Sequence, residues 1–397
     1  MTYLRRISTR RLLALCAGVV VVGVATAAIA LAATSGGPTP PPKPLPNAIH
    51  DALTAPKVAG VSARIEFTNH LLTSSNVRGS DPLLTGGTGR LWATADGQMR
   101  LELQSDSARG DSEVVVNKHR FLVYSGDNGT AYRGRLPREA GKQPHSSADK
   151  SPPSVSRIRH GLEKLAKHLN LSGAVPTDVA GRPAYSVRVS PKRHGGLLGG
   201  AQLAWDAVHG TPLEAGVYAK GSSSPVLELK VTDISFGPVS SSVFDISPAP
   251  GTKVTRVDAS KGHSTHRRAP APVTGSEAVA SELSFPLRAP SSLAGMDRTG
   301  LRLIRGEKAN GALVTYGRGL DGIAVVEYPA SDHGESADHG SGRSGELSVP
   351  KVSIGGVSAD ELETALGTAL HFKRHGVEYV VAGSVHRAVA EQAARGL

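Results

Sequence analysis

Apolar and polar residues alternate along much of residues 48–255, in short runs separated by turn residues. A period of two predicts β-strands with one buried and one wet face, as in antiparallel sheets. His209-Gly210 is typical of a hairpin turn between two of the runs. The apolar positions are Val61, Ala63, Ile65 and Phe67; Met99, Leu101 and Leu103; Tyr185, Val187 and Val189; Ala201, Leu203 and Trp205; Leu213, Ala215 and Val217; and Leu227, Leu229 and Val231.

Few helices accompany these strands. An apolar stripe at helical spacing predicts one helix, through Ile158, Leu162, Leu165 and Leu169. Residues 47–53 predict a second, shorter helix. The pattern as a whole predicts an α+β fold, in which a curved antiparallel sheet has its apolar face covered by few helices. With so little cover, either loops complete the lid or part of the apolar face stays open as a groove.

Residues 274–397 form a smaller block of mixed pattern, predicted to be a small α+β domain. Capping-box pairs at Thr274/Glu277 and Ser358/Glu361 predict helix starts, the second helix running to Leu370. Glu361 and Glu363 are then expected on the solvent face of that helix. A last helix is expected after Ser384, with Val385, Val389 and Ala393 on one stripe. Short strands are predicted near 301–304, 312–316, 323–327 and 349–354, and a hairpin that turns at His375-Gly376.

Stretches rich in proline, glycine, serine and histidine divide the chain. Gly36 to Pro46 predicts a polyproline-type spacer that holds a domain off a membrane. Residues 258–272 have the composition of an interdomain linker, and 137–156 and 331–344 that of exposed loops. The predicted organisation is a linker at 34–47, a first domain at 48–255, a second linker at 256–273 and a second domain at 274–397.

The N-terminal residues carry an export signal. Arginines within 1–11 precede an uncharged apolar stretch, Leu12–Ala33, which is long enough to cross a bilayer because about 20 helical residues suffice. The arginines predict that this end stays cytoplasmic and that the rest of the chain is extracytoplasmic. Two fates remain open: a single-pass anchor in the cell membrane, or a cleaved signal peptide that releases the protein. Leu15, which is not small, argues against lipidation of Cys16.

Net charge and aromatic content limit the kinds of partner that we expect, and cysteine content limits the kinds of site. The net charge of +11 favours anionic lipid or a cell-wall polyanion. Nucleic acid is excluded as a partner, because aromatic residues make up only 4% of an exported chain. Cys16 is the only cysteine, so the exported part has neither an intrachain disulfide nor a thiolate metal site.

The sequence lacks the common catalytic motifs H-E-x-x-H, G-x-S-x-G and G-x-x-x-x-G-K-[ST]. The glycine-rich segment 195–200 lacks dinucleotide-fingerprint spacing and is interpreted as a loop between strands. The histidines are interpreted as solvated polar residues, because many of them fall in the predicted loops: His145, His263, His266, His333 and His339. We therefore predict no enzymatic activity, no catalytic residue, no metal site and no cofactor.

Short motifs follow one another in a recognisable order in the first domain. They are GTGRLWATADGQMRLEL at 87–103, EVVVNKHRFLVYSGDNGTAYR at 113–133, VAGRPAYSVRVSP at 179–191, AQLAWDAVHGTPLEAGVYAK at 201–220 and VFDISPAPGTKV at 243–254. Their order and spacing resemble the lipoprotein-carrier fold of the LolA/LolB type. The resemblance covers 48–255, roughly half of the chain. It implies a half-open antiparallel β-barrel with covering helices around a hydrophobic cavity for acyl chains.

The two-domain layout resembles the RseB/MucB type, which regulates an envelope-stress anti-sigma factor, although the second domain does not match it residue by residue. Two hypotheses follow. The first is an envelope protein that binds the acyl chains of a lipid or lipoprotein. The second is a regulatory sensor whose partner is a membrane anti-sigma factor. A scaffold without a ligand is a third, plainer possibility.

The groove predicted by the first hypothesis is lined by the apolar face of the strands. Trp205 and Leu203 lie on that face, where core packing and a groove wall require the same residue types. The predicted lining residues are Ile65, Phe67, Met99, Leu101, Leu103, Tyr185, Val187, Leu203, Trp205 and Leu229.

Overall fold

The computed structural model describes residues 37–72, 81–104, 111–126, 129–136, 152–192, 196–248, 250–258, 273–306, 309–319, 322–330 and 349–397. The stretch Leu12–Ala33 lies outside these residues, as does most of the predicted loops and of the second linker. None of the helices in the described ranges is long and apolar enough to cross a membrane.

The alternating runs of the first domain form strands, as predicted. Within the described residues they build a 13-stranded sheet that curls into a half-barrel. The order is β13-β6-β5-β4-β3-β2-β1-β12-β11-β10-β9-β7, with β8 also paired to β9. The strands are β1 Gly60–Asn69, β2 Gly86–Thr94, β3 Met99–Leu103, β4 Ser112–Asn117, β5 Arg120–Ser125, β6 Thr130–Arg135, β7 Leu169–Leu171, β8 Val175–Val179, β9 Arg182–Pro191, β10 Leu198–Asp206, β11 Pro212–Ala219, β12 Pro225–Phe236 and β13 Lys253–Asp258.

The register of the sheet places the predicted apolar positions on one face. Phe67 lies opposite Leu229, which lies opposite Ala215. Ala215 in turn lies opposite Leu203, and Leu203 opposite Val187. Directly opposed residues point to the same side of a sheet, so this row crosses the concave face from β1 to β9. The described strand pairs are antiparallel except for β13, which runs parallel to β6.

The first domain has three helices among the described residues: α1 Leu45–Thr54, α2 Pro82–Thr85 and α3 Val155–Leu165. The longer two correspond to the predicted helices. The extension of α3 to Leu169 was wrong, because the backbone turns after Leu165 and Leu169 joins β7 opposite Pro191. Leu45 and Ala48 of α1 pack on β9 and β10 beside Leu162 of α3.

The end of the proline-rich segment lies on the half-barrel. Pro40 is buried, and the hydroxyl of Tyr185 donates to the Pro41 carbonyl at 2.7 Å. Lys43 forms an ion pair with Asp51 of α1 at 2.5 Å. Residues 37–46 are therefore fixed to the domain, and any spacer function is confined to residues that precede them.

The glycine-rich segment 195–200 is partly strand rather than loop. Gly199 and Gly200 belong to β10. A Cβ at Gly200 would come within 2.6 Å of the Val189 carbonyl on β9. Glycine at this position permits the close approach of two neighbouring backbones, which glycine-rich composition alone does not reveal.

The second domain contains an eight-stranded sheet within the described ranges, in the order β14-β15-β16-β17-β21-β20-β19-β18. The predicted hairpin is confirmed: His375 and Gly376 form its turn with φ of 49° and 74°. The helices are α4 Ser276–Ala280 and α5 Arg387–Arg395. The strands are β14 Ser292–Leu293, β15 Met296–Ile304, β16 Gly311–Tyr316, β17 Ile323–Pro329, β18 Lys351–Ile354, β19 Val357–Thr364, β20 Gly367–Arg374 and β21 Val377–Gly383.

The helix predicted from Ser358 to Leu370 was wrong. These residues form β19 and β20, which pair antiparallel about a short turn at Ala365. Glu361 is 3% exposed and pairs with Arg387 of α5 at 3.0 Å, instead of facing solvent on a helix. A charged residue at a buried strand position hides the alternation, and the Ser358/Glu361 spacing then imitates a capping box.

The other two predicted helix starts were displaced by a few residues. Gly275 precedes α4 without a side-chain cap, so the Thr274/Glu277 capping box does not form. The terminal helix begins at Arg387, after His386. The hydroxyl of Ser384 donates instead to the Leu366 carbonyl at 2.8 Å.

Candidate functional site

The ten predicted groove residues share the concave side of the half-barrel but divide between two apolar clusters. The first, here called the barrel cluster, contains Ile65, Phe67, Met99, Leu101, Leu103 and Leu229, and it extends to further residues on β4–β6 and β8–β11. The second, here called the lid cluster, contains Tyr185, Val187, Leu203 and Trp205, packed under α1 and α3. The sequence predicted the shared face, whereas the division depends on where the helices lie.

Much of each cluster is closed. Leu101 is 1% exposed, and Leu103 and Val187 are 0% exposed. The rings of Tyr185 and Trp205 lie with their centroids 6.2 Å apart beneath α1. These side chains stabilise the half-barrel as ordinary core residues.

The middle of this face, where the edges of the two clusters meet, is less closed. Leu203, Ala215 and Leu229 are half-buried, and they form a continuous cross-strand row. A second half-buried apolar row adjoins it, made of Val189, Ala201, Val217 and Leu227. We call these two rows the central strip. Ala215, at the centre of the strip, has a smaller side chain than its cross-strand neighbours Leu203 and Leu229.

Helix α3, which covers part of the lid cluster, buries little of its apolar surface. No residue of α3 is fully buried, although its apolar stripe faces the domain. Leu165 at the end of α3 is 50% exposed, and Leu53 near the end of α1 is 53% exposed. A helix that buries so little apolar surface is held by little free energy and opens more readily than the sheet beneath it.

The β10–β11 hairpin meets the end of α1. Gly210 has φ of +65°, and a Cβ there would come within 2.3 Å of the Ala52 carbonyl. Val208 of the same hairpin is 56% exposed. The hairpin is itself fixed by Asp206, whose carboxylate accepts from the backbone N–H groups of Val208 and His209 and from Arg182 Nε at 2.8 Å. The rim of the lid therefore combines a rigid hairpin with exposed apolar side chains.

The second domain contacts the first beside the barrel cluster. Leu362 of β19 packs against that cluster. The backbone N–H of Ala365 donates to the Leu71 carbonyl at 3.0 Å. On the other side, the N–H of Leu197 donates to the carbonyl and hydroxyl oxygens of Ser384, each at 3.0 Å. The β19–β20 hairpin thus forms part of the wall around the concave side.

The outer face of β10, β11 and β12 is polar. The hydroxyl of Tyr218 donates to Gln202, whose amide donates to Glu214. Burial, and next the nearby charge of Glu214, raise the pKa of Glu228 to about 7. The contrast between this face and the central strip shows that the alternation separates two chemically different surfaces.

The described residues contain no group of three His, Cys, Asp or Glu side chains placed to hold a metal ion. His371 lies within 3.5 Å of Asp360 and 2.7 Å of Glu378. His371 therefore belongs to an ion-pair network on the sheet. The interpretation of the histidines as solvated polar residues does not hold for this one. The five histidines of the predicted loops lie outside the described ranges.

No family model and no curated protein matches the chain. Among solved structures, MucB in complex with MucA(peri) is 17% identical, covers 88% of this chain and 95% of its own, and has a TM-score of 0.38. The Pseudomonas aeruginosa MucA/MucB complex gives the same identity and TM-score. A LolA superfamily protein from Nitrosomonas europaea is 8% identical, covers 51% of this chain and 98% of its own, and has a TM-score of 0.22. These are the two groups that the two-domain layout and the motifs of the first domain, respectively, resemble.

Proposed function

We propose that this chain is a non-enzymatic protein of the cell envelope that binds the acyl chains of a lipid or lipoprotein on the concave side of its half-barrel. The central strip carries the proposal. It presents half-buried apolar side chains from four adjacent strands, at the place where the two clusters leave the sheet incompletely covered. Acyl burial there contributes about 0.8 kcal/mol for each CH₂ group removed from water.

The lid supports the same function. Ligand entry requires α1 or α3 to move away from β9 and β10. Because the apolar stripe of α3 is poorly buried, this movement needs little free energy. The exposed Leu53 and Leu165 lie at the ends of these helices, where an acyl chain would first meet apolar surface. The N-terminal stretch Leu12–Ala33, as an anchor, would keep the domain beside the bilayer that supplies the ligand; as a cleaved signal, it would free a diffusing carrier.

Lipid extraction tests the proposal directly. The full chain is purified in neutral detergent, and its bound lipids are extracted, identified and quantified by mass spectrometry. The delipidated protein is then titrated with a fluorescent fatty acid. Leu203→Trp fills the central strip and is expected to lower both bound lipid and fatty-acid affinity about tenfold. Thr88→Trp adds the same ring to an exposed outer-face position and is expected to change neither. A wild-type protein that binds no fatty acid, or a Leu203→Trp variant that binds as well as wild type, contradicts the proposal.

A regulatory role is the second candidate, favoured by the contact of Leu362 with the barrel cluster. A ligand that enters beside this contact would loosen the second domain, and the loosened surface would then engage or release a membrane regulator. The resemblance to the RseB/MucB type makes an anti-sigma factor the expected regulator. Affinity capture from crosslinked envelopes separates the two roles. Recovery of a transmembrane anti-sigma factor supports regulation, whereas recovery of lipoproteins alone supports carriage.

A further inference from the structure

A cavity lies on the outer side of the half-barrel, at the β13 edge of the sheet. Its volume is about 780 Å³, within the roughly 300–1,000 Å³ of small-molecule sites. Val115 and Leu122 form part of its floor, and Phe244 and Ile246 of the following segment close one side. The 3₁₀ turn Ser241–Phe244 holds this segment against β3 and β4, with Phe244 2% exposed. We call the cavity the outer groove.

Four arginines line the outer groove: Arg120, Arg133, Arg135 and Arg256. Arg133 lies directly opposite Arg256, and Arg120 directly opposite Arg135. Opposed side chains on a sheet have Cβ atoms roughly 4.5–5.5 Å apart, and like charges in that position destabilise the sheet. The fold therefore brings two repelling pairs together at one edge.

Few negative charges offset these arginines. Asp245 lines the outer groove, and Asp258 lies opposite Arg135 in the register. The arginine ion pairs found within the described ranges involve Arg100, Arg182, Arg387 and Arg395, and none of the four groove arginines. All four groove arginines are exposed to solvent. The outer groove thus has an excess of guanidinium groups over carboxylates.

On the β1–β3 part of the outer face, carboxylates lie beside the arginines. Arg64 and Arg90 are also an opposed arginine pair, but Arg64 has Asp233 on its other side and Arg90 has Glu102. Arg100 binds Glu102 and Glu113 at 2.9 and 3.0 Å. The Arg133–Arg256 pair has the uncharged Leu122 instead of a carboxylate beside it. This pair is suited to an external anion, because guanidinium groups bind phosphate oxygens in a bidentate geometry.

We propose that the outer groove binds the phosphate-bearing headgroup of an anionic lipid, with Arg133 and Arg256 on the phosphate and the apolar floor under the adjoining carbon atoms. Val115 and Leu122 continue the cross-strand row that ends at Arg133 and Arg256, so apolar and cationic groups lie side by side along it. An amphiphile matches this arrangement, whereas a small inorganic anion uses only the cationic end. The site is separate from the central strip, because the groove is formed by β4–β6, β13 and residues 244–248, whereas the strip lies on β9–β12.

Photolabelling tests the proposal on the full chain in neutral-detergent micelles. Phosphatidylglycerol and phosphatidylcholine with the same photoactivatable acyl chain are compared, and labelled peptides are identified by mass spectrometry. We expect phosphatidylglycerol to label the β5, β6 and β13 peptides and phosphatidylcholine to leave them unlabelled. The double variant Arg133→Gln/Arg256→Gln is expected to lower this labelling roughly tenfold, because each basic group near an anionic lipid contributes substantially to binding.

The matched control is Arg64→Gln/Arg90→Gln, which removes the same charge from the same face and leaves labelling unchanged. Relief of like-charge repulsion leaves the unfolding temperature of Arg133→Gln/Arg256→Gln equal to or above that of wild type, so lost labelling reports lost binding. Equal labelling by both lipids, or equal loss in both double variants, overturns the proposal. Complete competition by glycerol phosphate at the same concentration as the lipid overturns the lipid assignment and gives the groove to a soluble phosphate ester. Labelling of the central strip alone also overturns it.

Discussion

The imidazole Nε2 of His371 lies 2.7 Å from Oε1 of Glu378 on the neighbouring strand. Its other ring nitrogen lies 3.5 Å from Oδ2 of Asp360. Hydrogen bonding to Asp360, and next to Glu378, raises the pKa of His371 to about 9. The β19–β20–β21 part of the second domain is therefore joined by a protonated histidine between two carboxylates at neutral pH.

His371→Gln is expected to lower the free energy of unfolding at neutral pH by less than about 1 kcal/mol, because the histidine side chain is 41% exposed and solvent screens the pair. A raised pKa means that the folded state binds the proton more tightly than the unfolded state. The contribution is thus complete below the unfolded pKa of about 6.5 and is lost as the pH rises through about 9.

Thermal unfolding at neutral pH and at about pH 10 checks this expectation, where the gap between wild type and His371→Gln should close at the higher pH. His168→Gln, at an exposed position of the first domain, is the control and should show no such pH dependence. A gap that is the same at both pH values rules out the ion-pair network as its cause.

A buried carboxyl group gives the opposite pH dependence. Glu327 of β17 is 0% exposed, and burial raises its pKa to about 7, although its Oε2 accepts from the Arg288 N–H at 3.0 Å. The folded state then binds a proton that the unfolded state releases near its ordinary pKa, so stability falls as the pH rises from about 4.5 to 7. Glu327→Gln is expected to remove this fall and to stabilise the domain at pH 8 by about 2 kcal/mol.

Urea unfolding at pH 5 and pH 8 measures the effect of Glu327→Gln. The variant should gain stability over wild type at pH 8 and little at pH 5. Glu363→Gln on β19, at an exposed position of the same domain, serves as control and should change stability at neither pH. A Glu327→Gln variant that is less stable at pH 8 shows that the carboxylate has a compensating partner when ionised.

The first domain was predictable because its strands have one wet and one covered face. Runs such as Val61–Phe67 and Leu227–Val231 alternate strictly, so both the strands and the shared concave face follow from periodicity. In the second domain the period of two is broken by charged residues at buried positions. Glu361 occupies a buried strand position that an apolar residue usually fills, and the helix predicted over β19–β20 was the result.

The candidate sites divide in the same way. The apolar row from Phe67 to Val187 could be read from the sequence, because each member is an alternate residue of a strand. The outer groove could not, because Arg256 reaches Arg133 only through the parallel pairing of β13 with β6, which closes a long loop. The spacing of residues within either strand does not reveal a pairing between strands so far apart in the sequence.

The docking of residues 37–46 on the half-barrel predicts a stabilising role for Tyr185. Tyr185→Phe removes the hydrogen bond to the Pro41 carbonyl and is expected to cost about 1 kcal/mol. It should also speed limited proteolysis between residues 37 and 46, because that segment loses an attachment. The matched comparison is Tyr218→Phe, which removes a side-chain hydrogen bond to Gln202 on the outer face and should leave proteolysis of the segment unchanged. Equal cleavage rates in the two variants contradict the expected docking.

Leu362 is expected to control how tightly the two domains hold together. Its side chain packs against the barrel cluster next to the Ala365–Leu71 backbone hydrogen bond. Leu362→Asp places a charge at this apolar contact and costs at least about 1.4 kcal/mol of contact free energy, which corresponds to tenfold faster opening. Hydrogen exchange of the Ala365 amide should therefore accelerate about tenfold or more, while amides of the β17–β21 pair keep their protection.

Val349→Asp is the control for Leu362→Asp, since Val349 is 41% exposed in the same domain and the same charge there is expected to remain in solvent. If exchange of the Ala365 amide accelerates only in Leu362→Asp, the contact of Leu362 with the barrel cluster holds the two domains together. If fatty acid bound to the wild-type chain reproduces the acceleration, ligand on the concave side and opening of the second domain are linked, as the regulatory role requires. If Ala365 exchanges at the same rate with and without fatty acid, the half-barrel binds its ligand without moving the second domain, and carriage alone remains.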